Sequence, residues 1–265
     1  MKIYRQMIIL CVALMTCGLS QATSVDMNGA VNLNGCSGAL VRFSSSKKSD
    51  QALILSAGHC APWTPEPFDY IIHKKYQAVV TFLKSDGTDH LQKAKTSELI
   101  YATMTDTDVA LFGLNETYQE IEDRIGSKAL LISEKPAKAA DSIVILSGQL
   151  HKSYSCQIEA LVYNLIEGDY VWQDSLRYAR PGCEVVGGTS GSPILNQATG
   201  EIIGLNNTGN QGGKMCSDGS PCEVSKNGSV YAEVGFNYGQ QVYSLATCFV
   251  RGQFNLNFPG CESFH

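Results

Sequence analysis

An all-β globular chain is the fold class this sequence predicts, on three observations. Of its 265 residues 25 are glycine, only 17% are charged, and the apolar residues, 44% of the total, fall in many short runs. Such a composition can bury a substantial core and excludes a disordered chain. Twenty basic residues against 25 acidic ones give a formal charge of −5. That balance argues against nucleic acid as a partner, because phosphate binding calls for clustered Lys and Arg.

The first segment is built for targeting. Residues 1–6 carry Lys2 and Arg5, and residues 7–15 (MIILCVALM) form an apolar core too short to span a bilayer. Ser20-Gln21-Ala22 supplies small residues at the two positions a signal peptidase reads. Residues 1–22 are therefore expected to be a signal peptide cleaved after Ala22. The rival, a lipoprotein signal ending at Cys17, has a poor approach in Met15-Thr16. Either route exports the chain, so a secreted or periplasmic protein is expected, with no membrane contact once the signal is removed.

Export changes how the ten cysteines read. Cys11 and Cys17 depart with the signal, leaving Cys36, Cys60, Cys156, Cys183, Cys216, Cys222, Cys248 and Cys261. An even number in an oxidising compartment implies disulfides rather than zinc or redox chemistry. No Cys-x-x-Cys pair occurs, and no metal site is expected. Eight cysteines allow about a hundred connectivities, so any pairing needs a further argument.

From Cys36 the chain reads CSGALVRF, a turn-rich SSSKKSD, then QALILSAGHC. Two β-type runs joined by a polar turn predict a hairpin-like unit, with Cys36 and Cys60 near each other at its open end. Further strands are expected at 76–83 and 109–114. The stretch 115–141 is more charged and contains Pro136, so it is expected to link two halves, 23–130 and 131–265. The second half has strand candidates at 142–146, 157–163, 194–195, 202–205 and 230–234. Near its end Val242, Leu245, Ala246 and Phe249 recur at helical spacing, which predicts a short C-terminal helix stopped at Gly252.

Three short strings carry chemistry: Ser56-Ala57-Gly58-His59-Cys60, Asp106-Thr107-Asp108-Val109-Ala110-Leu111 and Gly187-Gly188-Thr189-Ser190-Gly191-Ser192-Pro193. Each alone is weak. A His beside a Cys is usually structural, Asp-Val-Ala-Leu can simply open a strand, and a Gly-Ser-rich turn is usually only a turn. In this order, in an exported chain, they resemble the chymotrypsin-like serine peptidases, the trypsin-like family in its bacterial branch. The resemblance covers most of the mature chain, including Cys36-Ser37-Gly38-Ala39-Leu40. It implies two six-stranded antiparallel β-barrels packed with the active site between them, and a monomer acting on protein or peptide substrates with no cofactor. An α/β-hydrolase has the triad order Ser, Asp/Glu, His and a Gly-x-Ser-x-Gly elbow, neither of which this chain carries.

The resemblance assigns each string a role. A serine hydroxyl is a poor nucleophile at neutral pH, so an adjacent imidazole must take its proton. His59 would do so for Ser190, while Asp108 would hold the tautomer and stabilise the imidazolium. Asp106 competes with Asp108, but only Asp108 directly precedes Val-Ala-Leu. Backbone N–H groups of Gly188 and Ser190 would form the oxyanion hole, Gly188 by virtue of its backbone freedom. The family's animal members place an aspartate before the serine, which pairs with a freed N-terminus. Here that residue is Thr189, so N-terminal insertion is not the expected activation mechanism.

The family also bridges the positions of Cys36 and Cys60. For the other six cysteines, Cys156–Cys183, Cys216–Cys222 and Cys248–Cys261 are the simplest set. A bridge from Cys183 to Cys216 or Cys222 would better mimic the family. Gly204–Gly209 resembles the strand that pairs with substrate backbone, which points to Asn207, Thr208 and Gly209, with Ser229 on the facing wall. Glu184 precedes Ser190 at the separation where trypsin carries the acid that selects Lys or Arg, although Cys183 is displaced relative to the family. The glutamyl-specific branch uses a histidine where this chain has Asn206, which disfavours that specificity. His73, His90, His151 and His265 sit among polar residues and are expected at the surface. The alternative to a peptidase is a relative that kept the fold for binding.

Overall fold

The computed structural model describes residues 25–261. The expected signal segment 1–22 and His265 lie outside the described residues. Seven strands make the first half: β1 (Ala30–Leu33), β2 (Cys36–Arg42), β3 (Gln51–Ser56), β4 (Tyr70–Lys75), β5 (Val79–Leu83), β6 (Asp89–Thr103) and β7 (Val109–Thr117). Hydrogen bonding runs β1-β5-β6-β7-β3-β2 and returns from β2 to β1, so six strands close into a barrel with β4 flanking β6. Closure removes the open edges at which strands aggregate. The expected hairpin is β2–β3, with Val41 opposite Leu53. Leu40, Ile54, Leu55, Phe82, Tyr101, Leu111 and Phe112 are buried in this barrel's core.

β6 is the longest strand of this half and no periodicity announced it. Its first part, Asp89 to Lys93, is polar and mostly exposed, so it reads as a loop. Two register shifts against β7 bend the strand around the barrel, where it pairs with β4, β5 and β7 in turn.

The expected linker holds a helix. α1 (Tyr118–Ile125) begins with a reciprocal capping box between Thr117 and Glu120 and ends at Gly126 in the left-handed conformation. It buries Tyr118, Ile121 and Ile125. β8 (Leu130–Leu131) then adds a parallel strand beside β2, and the next residue, Ile132, bridges to Ile202 in the second half.

The second half contains β9 (Ser142–Ser147), β10 (Lys152–Glu167), β11 (Tyr170–Tyr178), β12 (Pro193–Asn196), β13 (Ile202–Gly209), β14 (Cys222–Val224), β15 (Val230–Tyr231) and β16 (Asn237–Gln241). The path β9-β10-β11-β16-β13-β12 returns from β12 to β9 and makes a second six-stranded antiparallel ring. Neither β11 nor β16 stood out in the sequence. Among the described residues four disulfides form, Cys36–Cys60, Cys156–Cys183, Cys216–Cys222 and Cys248–Cys261, each joining cysteines consecutive in sequence.

The C-terminal helical segment is a 3-10 turn, Tyr243–Cys248, not an α-helix. Thr247 donates its hydroxyl back to the Ser244 carbonyl, the local competition that short hydroxyl-bearing turns favour. Val242, Leu245 and Phe249 are nevertheless buried as their spacing implied, in a cluster that includes the first barrel's core. Phe249, in β17 (Phe249–Val250), stacks on Phe43 with centroids 4.2 Å apart. β17 turns through Gly252 to β18 (Gln253–Phe254). The tail thus straps the second half onto the first. Among the described residues no helix is long and apolar enough to cross a membrane.

Candidate active site

Strand register brings two of the expected residues together. β3 and β7 pair antiparallel with Ser56 opposite Ala110, so the chain after Ser56 and the chain before Ala110 leave the sheet at the same end. His59 lies in the 3-10 turn Gly58–Cys60 that follows β3, and Asp108 directly precedes β7. The turn closes tightly because residue 58 is glycine. A Cβ there would stand 2.1 Å from the Thr103 carbonyl oxygen and 2.9 Å from Asp108 Oδ1. The Cys36–Cys60 bridge ties the same turn to the start of β2.

Asp108 grips His59 with both oxygens. Oδ2 lies 2.6 Å from His59 Nδ1, and Oδ1 accepts the His59 backbone N–H at 2.9 Å. The Asp108 side chain is fully buried, and that of His59 is 31% exposed. Burial alone would pull the imidazole pKa down, but the charge and hydrogen bond of Asp108, helped by Glu167, raise it above 6.5. Asp106 is excluded from this role: its carboxylate accepts the Gln173 side-chain N–H at 2.7 Å.

Ser190 comes from the second barrel, on the loop entering β12. His59 and Ser190 line one cavity of about 310 Å3. Among the described residues Ser190 Oγ has no hydrogen-bond partner, a contact that in free enzymes often tightens only with substrate bound. Gly188 and Gly191 both have positive φ, +93° and +76°. A Cβ on Gly191 would lie 2.4 Å from the Ser37 carbonyl oxygen, so the loop can lie against the first barrel only with glycine there. The N–H groups of Gly188 and Ser190 have no acceptor among the described residues.

Neutral hydrogen bonds hold this loop, and Thr189 makes two of them. Thr189, 2% exposed, donates its hydroxyl to the Val186 carbonyl at 2.6 Å and accepts from Asn206 Nδ2 at 3.0 Å. The Tyr178 hydroxyl donates to Asn206 Oδ1 at 3.1 Å. Complete burial pushes the Tyr178 pKa well up, so the phenol stays a donor. From the other barrel, Ser37 donates its backbone N–H to the Ser190 carbonyl and its hydroxyl to the Gly188 carbonyl, at 2.9 and 3.1 Å. Sequence reasoning missed Ser37, Tyr178 and the clamp made by Asn206. Ser37 and Asn206 stand in strings quoted for the resemblance, whereas nothing in the sequence marked Tyr178.

A second cavity also borders Ser190, lined by Val185, Thr189, Asn207, Gly209, Gln211 and Asn237 among others, none of them charged. Asn207 and Thr208 border both cavities. Asn207 is 5% exposed and its Nδ2 has no partner among the described residues. Two expected substrate residues lie elsewhere. Glu184 is exposed and lines neither cavity; its carboxylate turns back to accept the Gly182 N–H at 3.0 Å. The displaced Cys183, bonded to Cys156, accounts for the slip. Ser229 sits in the exposed turn between β14 and β15 and lines neither cavity, whereas Asn237 of β16 lines the second.

His73 and His151 are exposed as expected, whereas His90 is half-buried with Nε2 out of solvent contact. His73 faces Glu98 at 3.3 Å and His151 faces Asp89 at 3.4 Å. Sulfur atoms of Cys36 and Cys60 approach a His59 nitrogen within 4.8 Å, but they are bonded to each other and offer no thiolate to a metal.

No family model and no curated protein matches the chain. Among solved structures, it is similar to the MamO protease domain from Magnetospirillum magneticum, 13% identical with a TM-score of 0.49 over 83% of this chain and 94% of that one. The active form of Rv3671c protease from M. tuberculosis is 11% identical, TM-score 0.47, over 91% and 88%. Protease Anisep from Arthrobacter nicotinovorans is 17% identical, TM-score 0.46, over 83% and 91%.

Proposed function

We propose that this chain is an exported serine endopeptidase that hydrolyses peptide bonds through Ser190, His59 and Asp108, by way of an acyl-enzyme. The observation that carries the reading is the fully buried Asp108 holding His59 through both carboxylate oxygens while His59 and Ser190 share a cavity. That arrangement equips the imidazole to accept the Ser190 proton as Oγ attacks the substrate carbonyl. The proton then passes from His59 to the leaving amine as the peptide C–N bond breaks. Water, deprotonated in turn by His59, attacks the ester and restores the Ser190 hydroxyl. The free N–H groups of Gly188 and Ser190 would stabilise the oxyanion, each being worth about 2.7–4 kcal/mol in such sites. No step calls for a cofactor.

Substrate would lie as an added strand beside Asn207–Gly209, with main-chain pairing that is indifferent to sequence. Selectivity then falls on the cavities. The one lined by Thr189, Gln211 and Asn237 offers no charge, so a neutral side chain is expected for the residue whose carbonyl is attacked.

Labelling with a fluorophosphonate tests the reading. Stoichiometric modification at Ser190 is expected, with Ser190→Ala unlabelled and turnover reduced about a million-fold. Folded, disulfide-intact protein that does not label would overturn the peptidase reading in favour of a binding protein.

A further inference from the structure

The tip of the β10–β11 hairpin carries three residues that face the catalytic cavity. Glu167 ends β10 directly opposite Tyr170 on β11, and Trp172 follows two residues later on the same face. The Tyr170 and Trp172 rings are parallel within 1°, with centroids 6.1 Å apart, and together wall the cavity. Glu167 Oε1 accepts the Gly219 N–H at 2.7 Å, the Thr208 hydroxyl also hydrogen-bonds the carboxylate, and Oε2 is buried. Asp218, held beside it in the loop closed by the Cys216–Cys222 bridge, adds a second carboxylate at the exposed rim. Among the described residues neither acid has an ion-pair partner.

A carboxylate turned inward with no cation beside it is costly unless something fills that role. Parallel aromatic faces accept an alkyl stem and attract a cation, and carboxylates form their strongest hydrogen bonds with charged donors. A Lys or Arg side chain combines all three properties. We infer that this cavity selects a basic side chain on the substrate residue directly N-terminal to the one whose carbonyl is attacked. Successive side chains of an extended substrate point to opposite sides. With one in the uncharged cavity beside Thr189, the preceding one faces His59, Tyr170 and Glu167. The inference rests on the peptidase reading but assigns the selectivity to an acid outside the pocket where trypsin carries its own.

The test uses full-length, disulfide-intact enzyme and peptides identical except for Lys, Arg, norleucine or Gln at that one position. Wild type is expected to favour the basic peptides over norleucine about 10- to 100-fold in kcat/KM, the range set by a hydrogen bond to a charged group. In Glu167→Gln, which keeps the oxygen that accepts from Gly219, the ratio should collapse toward one. Asp218→Asn, on an exposed loop, should reduce it less and serves if Glu167→Gln fails to fold. Fluorophosphonate labelling of every protein separates the outcomes. Labelled, active enzyme with no basic preference, or with a preference that survives both substitutions, overturns this inference alone. Absence of both labelling and cleavage overturns the peptidase reading and this inference with it.

Discussion

The two barrels deliver their parts of the site by different physical means. The first places His59 and Asp108 through strand register: β3 and β7 are neighbours, and their paired ends leave the two side chains 2.6 Å apart at closest approach. The second presents Ser190 on an irregular loop with no ladder around it. Thr189, Asn206 and Tyr178 hold that loop from behind, and Ser37 holds it from the opposite barrel. A register-built pair needs only correct strand pairing, which the buried core already enforces. The loop carrying Ser190 depends on several individual hydrogen bonds, and the two made by Asn206 are buried and costly to leave half made.

The contrast can be broken at its strongest point first. Asp108→Asn preserves shape at the end of β7 but presents the wrong hydrogen-bonding partner to His59. Turnover should fall about 10,000-fold with the thermal transition little changed. A loss under about a hundredfold would mean that register alone does not account for the pair's role. Substitution on the other side should behave differently. Asn206→Leu leaves the Tyr178 hydroxyl buried and unpaired and frees Thr189, costing about 1–3 kcal/mol of stability in denaturant titrations. Fluorophosphonate labelling of Ser190 should slow about 10- to 100-fold through misplacement of the loop, while the pH dependence of labelling stays that of His59. A changed pH dependence would show that the loop and the imidazole are not separately built.

The smallest expected effect concerns proton linkage. The proposed mechanism requires neutral His59, so turnover should fall with decreasing pH through a midpoint above 6.5, because Asp108 and Glu167 hold the pKa up. Stability runs the opposite way. A histidine whose pKa is raised by folding contributes its full stabilisation below the unfolded value, and loses it as pH rises through the folded one. Glu167→Gln removes one of the charges favouring the imidazolium and should lower the midpoint of the activity limb. A midpoint that rises, or stays fixed, would mean that Glu167 does not sense the catalytic histidine.

Parts of this organisation were legible in the sequence because they are local. The β2–β3 hairpin shows as two apolar runs around a polar turn, and His59, Asp108 and Ser190 each sit in a short recognisable string. The α1 helix was legible and overlooked: Thr117 and Glu120 form a capping box three residues apart, with Gly126 at the far end. β6 was not legible, since half of it is polar and its bending comes from bulges formed against its partners. Glu184 misled because a fixed distance from Ser190 in sequence carries no information about which way an irregular loop turns.

The residue types needed for the chemistry, their order along the chain and the all-β class follow from the sequence by itself, because composition, short-range pattern and motif are properties of neighbours in the chain. Tertiary structure alone decided what stands behind them: that Asn206 and Tyr178 secure Thr189, that Ser37 reaches from one barrel to the other, and that Glu167 faces the catalytic cavity. Those contacts join positions far apart in sequence, and they exist only once two closed barrels have fixed which strand ends and loops meet.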